Sequence, residues 1–406
     1  MVLALGLLVL AFGQDVPQPR VVASWPAGPM ETRVAFDAPW DESKGQALVG
    51  KAVRFVTDWK FEGELAIAAA HLRDEGRTLV LATDPHSVNA SFFLPNPLAH
   101  SALQVTPYDL SGVEATWRER EDDDSPSIVT WWPSLESAAF QALADRSIEH
   151  GRFRAALMKQ GRLILKSRVA LPKGKRTLRL ESNVAMSVEL NNDEKEGKSV
   201  LFEFEATEVP EDLTVRLSTG ATMPSLRMTV GADAPSKLPK ILLVPWSPDP
   251  PVVGGTPFEA PYDLVGGDAK RGEIVFFSED SKCSICHKIG GKGGDVGPDL
   301  TRPRQRDLPS LFRAIAAPSD EIRPDYVPYT IATNDGIVAV GTVRAEGADS
   351  LRVLDAEGKS TIFKRADVQL FKAGSTSIMP VGLAGALGED RMRDLLAFLL
   401  TQRPQP

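Results

Sequence analysis

Residues 161–193, GRLILKSRVALPKGKRTLRLESNVAMSVELNND, carry an apolar row at strand spacing. Leu163, Leu165, Val169 and Leu171, then Leu178, Leu180, Val184, Met186 and Val188, recur mostly at period two. That spacing puts them on one face of extended chain. Pro172-Lys173-Gly174-Lys175 supplies a turn between the two runs. The same texture extends outward over residues 110–232. It recurs upstream over residues 20–108, in METRVAFDAPW, GKAVRFVTDW, GELAIAAAHL and GRTLVLATDPH. Pro26, Pro29, Pro39, Pro85, Pro95, Pro97 and Pro107 break this upstream stretch too often for long helices. The pattern predicts two antiparallel, Ig-like β-sandwiches, residues 20–108 and 110–232.

The whole chain has 406 residues, 43% hydrophobic and 25% charged, with a formal charge of −8. It is long enough for several cores, and its acidic balance argues against a nucleic-acid binder working through a general basic surface. Residues 1–13 hold an apolar run from Val2 to Phe12 that reads as a secretory signal and is too short to span a bilayer, which takes about 20 apolar residues. The protein is therefore expected to be exported, periplasmic or surface-associated, with no transmembrane span. Residues 233–261 are dense in proline and read as an extended linker. All seven Trp lie before Tyr262, so residues 262–406 are expected to have a separate core and a separate task. The acidic run Glu121–Asp124 reads first as a solvated loop rather than a calcium site, and Asn191-Asn192-Asp193-Glu194 as a hairpin turn.

Only two residues are Cys, and both fall in Cys283-Ser284-Ile285-Cys286-His287. Cys-x-x-Cys-His is the attachment signature of a covalent c-type haem: two thiols add to the porphyrin vinyl groups and the adjacent imidazole takes the iron. Two other readings of these residues are a zinc half-site and a thioredoxin-like dithiol. Zinc wants four ligands, and no other Cys or His lies between Tyr262 and Pro406. A dithiol site wants a βαβ frame, which the flanks do not supply. One haem c, bound through Cys283 and Cys286, is the expected cofactor, with His287 as iron ligand.

The iron's second axial group is expected from the two methionines of this block. Met392 sits on one helical face with Leu395, Leu396, Leu399 and Leu400 and reads as core. Met379 stands in a loop closed by Pro380, which leaves it free to be aimed at iron. His287 and Met379 are the expected metal ligands, and none of the remaining histidines shows the spacing of a catalytic or metal site.

Residues 267–406 resemble class I cytochrome c domains, and more closely the haem-binding domains appended to large exported proteins of planctomycete-type bacteria. The resemblance rests on GDAKRGEIVFF (267–277) as a first helix, on the Cys-x-x-Cys-His motif, on Gly297-Pro298-Asp299-Leu300, on Ser-Ile-Met-Pro around Met379, and on a closing amphipathic helix with Phe398 turned toward the first. It implies that the Pro298 carbonyl accepts the proximal imidazole proton. The 92 positions from His287 to Met379 exceed what a minimal domain needs, since 379 − 287 = 92. The excess, from about Tyr329 to Lys372, alternates short β runs with turns at Asn334-Asp335-Gly336, Gly347 and Glu357-Gly358, and reads as a β-meander that covers a haem edge or forms a docking surface.

The expected fold class is thus two all-β sandwiches followed by a mainly α cytochrome c domain with a small β-meander insertion. The expected function is one-electron transfer to a redox partner protein rather than enzymatic turnover, Lys282, Lys288 and Lys292 offering a basic rim for an acidic partner. Two alternatives stay open: a peroxidase-type haem enzyme with a labile distal ligand, and a surface- or glycan-binding protein whose haem domain relays electrons.

Overall fold

The computed structural model describes residues 19–57, 60–95, 108–120, 127–207, 209–231, 241–249, 266–301 and 307–402. The leader (1–13), the acidic run Glu121–Asp124 and most of the proline-rich linker lie outside the described residues. Among the described residues no helix is long and apolar enough to cross a membrane.

The first module contains β1 (Val21–Gly28), β2 (Glu31–Phe36), α1 (Glu42–Gln46), β3 (Ala52–Thr57), β4 (Lys60–Arg73), β5 (Thr78–Thr83) and β6 (Ser91–Phe93). Their order in space is β1-β2-β5-β4-β3-β6. The long β4 pairs with β5 through Ile67–Arg73 and with β3 through its first half, so one strand serves two ladders. Val34, Phe36, Val53, Phe55, Ile67, Leu81 and Phe92 fill the space between them. β5 is buried at every position and accordingly reads as a continuous run, TLVLAT, instead of an alternation.

The second module comprises β7 (Val113–Arg118), β8 (Ser127–Trp132), α2 (Ser137–Ala144), α3 (Ile148–Leu157), β9 (Gly161–Val169), β10 (Gly174–Leu190), β11 (Asp193–Ala206), β12 (Glu211–Thr219), β13 (Leu226–Val230) and β14 (Leu242–Leu243). β9 and β10 are the two runs of the 161–193 stretch. The turn between them does not make a hairpin, because β12 inserts and pairs with both. The hairpin comes at Asn191 and Asn192, both at positive φ, joining β10 to β11. Trp132 stacks on Phe140 at 4.2 Å between ring centroids, which seats α2 on the sheet.

The third region contains α4 (Ala269–Phe276), α5 (Cys283–Cys286), β15 (Lys288–Ile289), β16 (Lys292–Gly293), α6 (Leu308–Ala316), then β17 (Pro328–Thr333), β18 (Val338–Glu346), β19 (Ser350–Leu354), β20 (Ser360–Lys364), β21 (Val368–Ala373), and last α7 (Leu383–Leu387) and α8 (Glu389–Thr401). It has two cores. One is helical, built on Phe276, Leu311, Phe312, Met392, Leu395 and Phe398. The other belongs to the sheet, built on Tyr329, Ile331, Val343, Leu351 and Val353.

The expected fold class is overturned. Twenty-one strands stand against eight α-helices among the described residues, and the third region is a mixed helix-and-sheet body rather than a mainly α cytochrome c domain. Its insertion is no small meander: the order is β20-β19-β18-β17-β21, so the last strand crosses to pair with the first, and the sheet encloses its own core. The second block also holds two helices, α2 and α3, packed on its eight-stranded sheet, which the strand reading of residues 110–232 did not include. The linker reading also fails over residues 241–249, where Leu242 and Leu243 pair with β9 and Val244 is fully buried in the first module's core. In each case apolar area that could be buried overrode a local reading.

Candidate cofactor site

The Cys-x-x-Cys-His motif is presented on one turn of helix. Asp268 caps α4 by accepting from the Arg271 backbone N–H at 2.8 Å. α4 lies across α8 so closely that a Cβ on Gly272 would sit 2.0 Å from the Asp394 carbonyl oxygen, which only glycine permits. Phe276 faces Phe398 at 6.0 Å, and Arg271 grips the buried Asp394 carboxylate with two hydrogen bonds, Nε at 2.7 Å and Nη2 at 2.8 Å. That pairing holds the Asp394 carboxyl below its ordinary range. Buried Ser281 donates to the Val275 carbonyl at 2.5 Å, tying the end of α4 to the start of α5. Lys282 takes a left-handed conformation, φ 55°, and turns the chain into the motif.

His287 closes that turn through its backbone N–H to the Cys283 carbonyl at 2.9 Å. Its Nδ1 lies 2.9 Å from the Pro298 carbonyl oxygen, an acceptor, so Nδ1 carries the proton and Nε2 keeps the lone pair. Burial pushes the imidazole below its usual pKa, which favours the neutral, ligating form. The 293–300 loop lies flat on the motif: Gly297 N–H donates to the Cys286 carbonyl at 2.8 Å, and a Cβ on Gly297 would come within 2.6 Å of the His287 ring. Both cysteines are free, and burial raises both thiols above the ordinary range.

His287, Pro298, Cys286 and Met379 line one open-mouthed cleft. Cys283 packs against the adjoining helical core. Leu300, Leu311, Ile315 and Leu399 give the cleft an apolar lining. Met379 is held in its loop by Ser377, whose hydroxyl accepts the Met379 N–H at 3.2 Å and whose own N–H reaches Ser319 at 3.0 Å. Met392, by contrast, is fully buried inside the helical core.

An apolar, open-mouthed cleft with a neutral imidazole, a thioether and the Cys286 thiol at its wall, and Cys283 packed beside it, is a donor set that suits a haem better than a cation cage. Among the described residues, no three His, Cys, Asp or Glu side chains gather at metal-holding spacing. Three cleft residues carry no sequence signal: Arg323, Tyr326 and Thr342 come from the approach to the sheet and from β18. The sheet also touches the motif, with the Cys286 thiol 3.8 Å from the Ala356 carbonyl. Of the three basic-rim lysines, Lys288 is paired with Asp295.

No family model matches the chain, and no curated protein matches it. Three similar solved structures are a beta-glucosidase from Kluyveromyces marxianus, a PA14 sugar-binding domain from an RTX adhesin and an anti-sigma factor domain-containing protein. The first is 14% identical with a TM-score of 0.23, covering 30% of this chain and 17% of the glucosidase. The second is 12% identical with a TM-score of 0.20, covering 30% and 90%. The third is 8% identical with a TM-score of 0.22, covering 50% and 79%. None of the three is a cytochrome c. Likeness at this level carries no argument about fold or activity.

Proposed function

We propose that this chain is an exported c-type cytochrome that passes single electrons to a redox partner protein. One observation carries the reading: His287, its Nδ1 proton directed at the Pro298 carbonyl 2.9 Å away, lines the same cleft as Met379 and Cys286. Cys283 and Cys286 would hold the macrocycle as thioethers, and His287 Nε2 and the Met379 sulfur would take the iron. The haem supplies a one-electron couple. The Pro298 carbonyl keeps the imidazole in one tautomer and orientation, and raises its basicity as a ligand. Leu311, Ile315 and Leu399 would present apolar surface to the bound group. With His287 and Met379 both bound to the iron, no position would remain for substrate, which favours electron transfer over turnover.

The test is expression with export and haem maturation, followed by a haem stain on a denaturing gel and visible spectra. Wild type is expected to stain. Cys286→Ala is expected to lose most covalent haem, and Met379→Ala to keep the haem but lose the sulfur-to-iron band of the oxidised form. Unstained wild type overturns the proposal. Retention of the sulfur band in Met379→Ala removes Met379 from it.

A further inference from the structure

We propose that the first β-module is a working part of the haem cleft, with Ser87 and Asp84 as positioning residues for its polar wall. The inference rests on the cytochrome reading and adds to it residues some two hundred positions away from the motif.

The polar wall is Arg323 and Tyr326, which line the cleft, and Arg344 behind them. The Tyr326 ring has one guanidinium over it at 5.3 Å, from Arg323, and another at 5.2 Å, from Arg344. Arg323 is further fixed by Asp325 at 2.9 Å. The 3₁₀ turn Pro324–Tyr326 rests on the first module, where the Ser87 hydroxyl donates to the Pro324 carbonyl at 2.5 Å. Asp84 accepts from the Ala345 backbone N–H at 2.8 Å, which fixes β18 one residue beyond Arg344. Met30 of the first module is buried within the sheet's own core, and its carbonyl accepts from Arg365 at 3.3 Å.

These three anchors form a rigid block. His86 stands between Asp84 and Ser87, fully enclosed, with Nδ1 3.0 Å from the Pro29 carbonyl and Nε2 3.0 Å from the Tyr108 hydroxyl. Thr32 completes the network at 2.7 Å from the same hydroxyl. The segments around residues 29–32 and 84–87 are thereby locked to each other, and both reach across to the cofactor side. Positive charge beside a redox centre stabilises its reduced state, and exclusion of water enlarges that effect. A wall held by the first module therefore sets how easily the iron is reduced.

The experiment uses the full haem-loaded chain, with Ser87→Ala, Asp84→Ala and their combination against Ser87→Thr, which keeps a hydroxyl, and Arg176→Ala on the distant strand β10. Midpoint potential is read by redox titration, and amide exchange of residues 323–327 is read with and without haem. The expected result is a downward shift in potential for Ser87→Ala and faster exchange of the 3₁₀ turn in both alanine variants, fastest in the pair and present in the haem-free protein too; Asp84→Ala also removes a carboxylate beside Arg344, so exchange is its deciding readout. Ser87→Thr and Arg176→Ala stay near wild type. Stained variants with unmoved potentials and unmoved exchange overturn this inference and leave the cytochrome reading standing. Unstained wild type overturns the cytochrome reading, and the exchange data on haem-free protein still decide whether Ser87 and Asp84 hold the turn.

Discussion

The helical lobe and the five-stranded sheet share the last 140 or so residues of the chain, yet they are built by different rules. In the helical lobe the decisive contacts are between two segments that each announce themselves: α4 by its Asp268 cap and α8 by its 3.6-residue stripe. In the sheet each strand is legible but the partner is not, since β21 bypasses β20 to pair with β17. The lobe carries the Cys-x-x-Cys-His motif and Met379, and the sheet contributes Thr342 to the same cleft. Local chemistry marks a site; non-local pairing decides what surrounds it.

The comparison breaks most visibly if the sheet's core is opened. Ile331 is fully buried among Tyr329, Val343 and Val353, so Ile331→Ala is expected to cost about 2–5 kcal/mol. Amide exchange is expected to quicken across β17–β21 while α8 stays protected. Equal loss in both would mean that lobe and sheet unfold as one unit.

Acid tests the sheet's other boundary. His86 and His150 are buried as neutral rings with pKa values lowered to about 4, chiefly by desolvation. Unfolded, each takes a proton near 6.5, so their contribution is complete above pH 6.5 and is lost as the pH falls toward 4. The loss is about 3 kcal/mol for each ring. Every Trp lies in the first two modules and the segment after them, so tryptophan fluorescence in urea follows those modules alone. The midpoint is expected to drop between pH 6.5 and 4, and a flat profile would show that neither ring is held neutral. Asp394, whose pKa is lowered by Arg271, works in a different range and gives up its contribution only below its unfolded value of 3.8.

The lobe is tested by a single methyl group. Gly272→Ala places a Cβ against the Asp394 carbonyl and is expected to cost about 1–3 kcal/mol through the forced separation of α4 and α8. Exchange should now rise in α8 and stay slow in β17–β21, the reverse of the Ile331 variant. Calorimetry showing an unchanged transition would contradict the close crossing.

Cys286, His287, Pro298 and Met379, which line the cleft, and Cys283 beside it stood out in the sequence because each belongs to a short motif. Arg323, Tyr326 and Thr342 did not, because nothing local distinguishes a cleft-lining arginine or threonine from a solvated one. The helices α2 and α3 were missed inside a block read as strand, although residues 134–171 contain no proline and Phe140 and Ala144 stand one helical turn apart. The linker misled for the opposite reason: its prolines describe the chain's stiffness and say nothing of Val244, which finds a vacancy in another module's core. The strands of the insertion were found almost residue by residue, since Gly336, Gly347 and Gly358 all occupy the positive-φ positions that its turns require.

Tyr329 and Ala373 are direct neighbours across β17 and β21, and the Gly374 N–H returns to the Pro328 carbonyl at 2.7 Å. The whole insertion thus enters and leaves the helical lobe through one doorway a strand-width across. Topologically it is a cassette: a lineage could lengthen, exchange or discard it without moving either end of the host fold. What would resist removal is its attachment elsewhere, since Met30, Asp84 and Ser87 hold it from another module. A part that is easy to splice in has become, through its contacts, hard to take out.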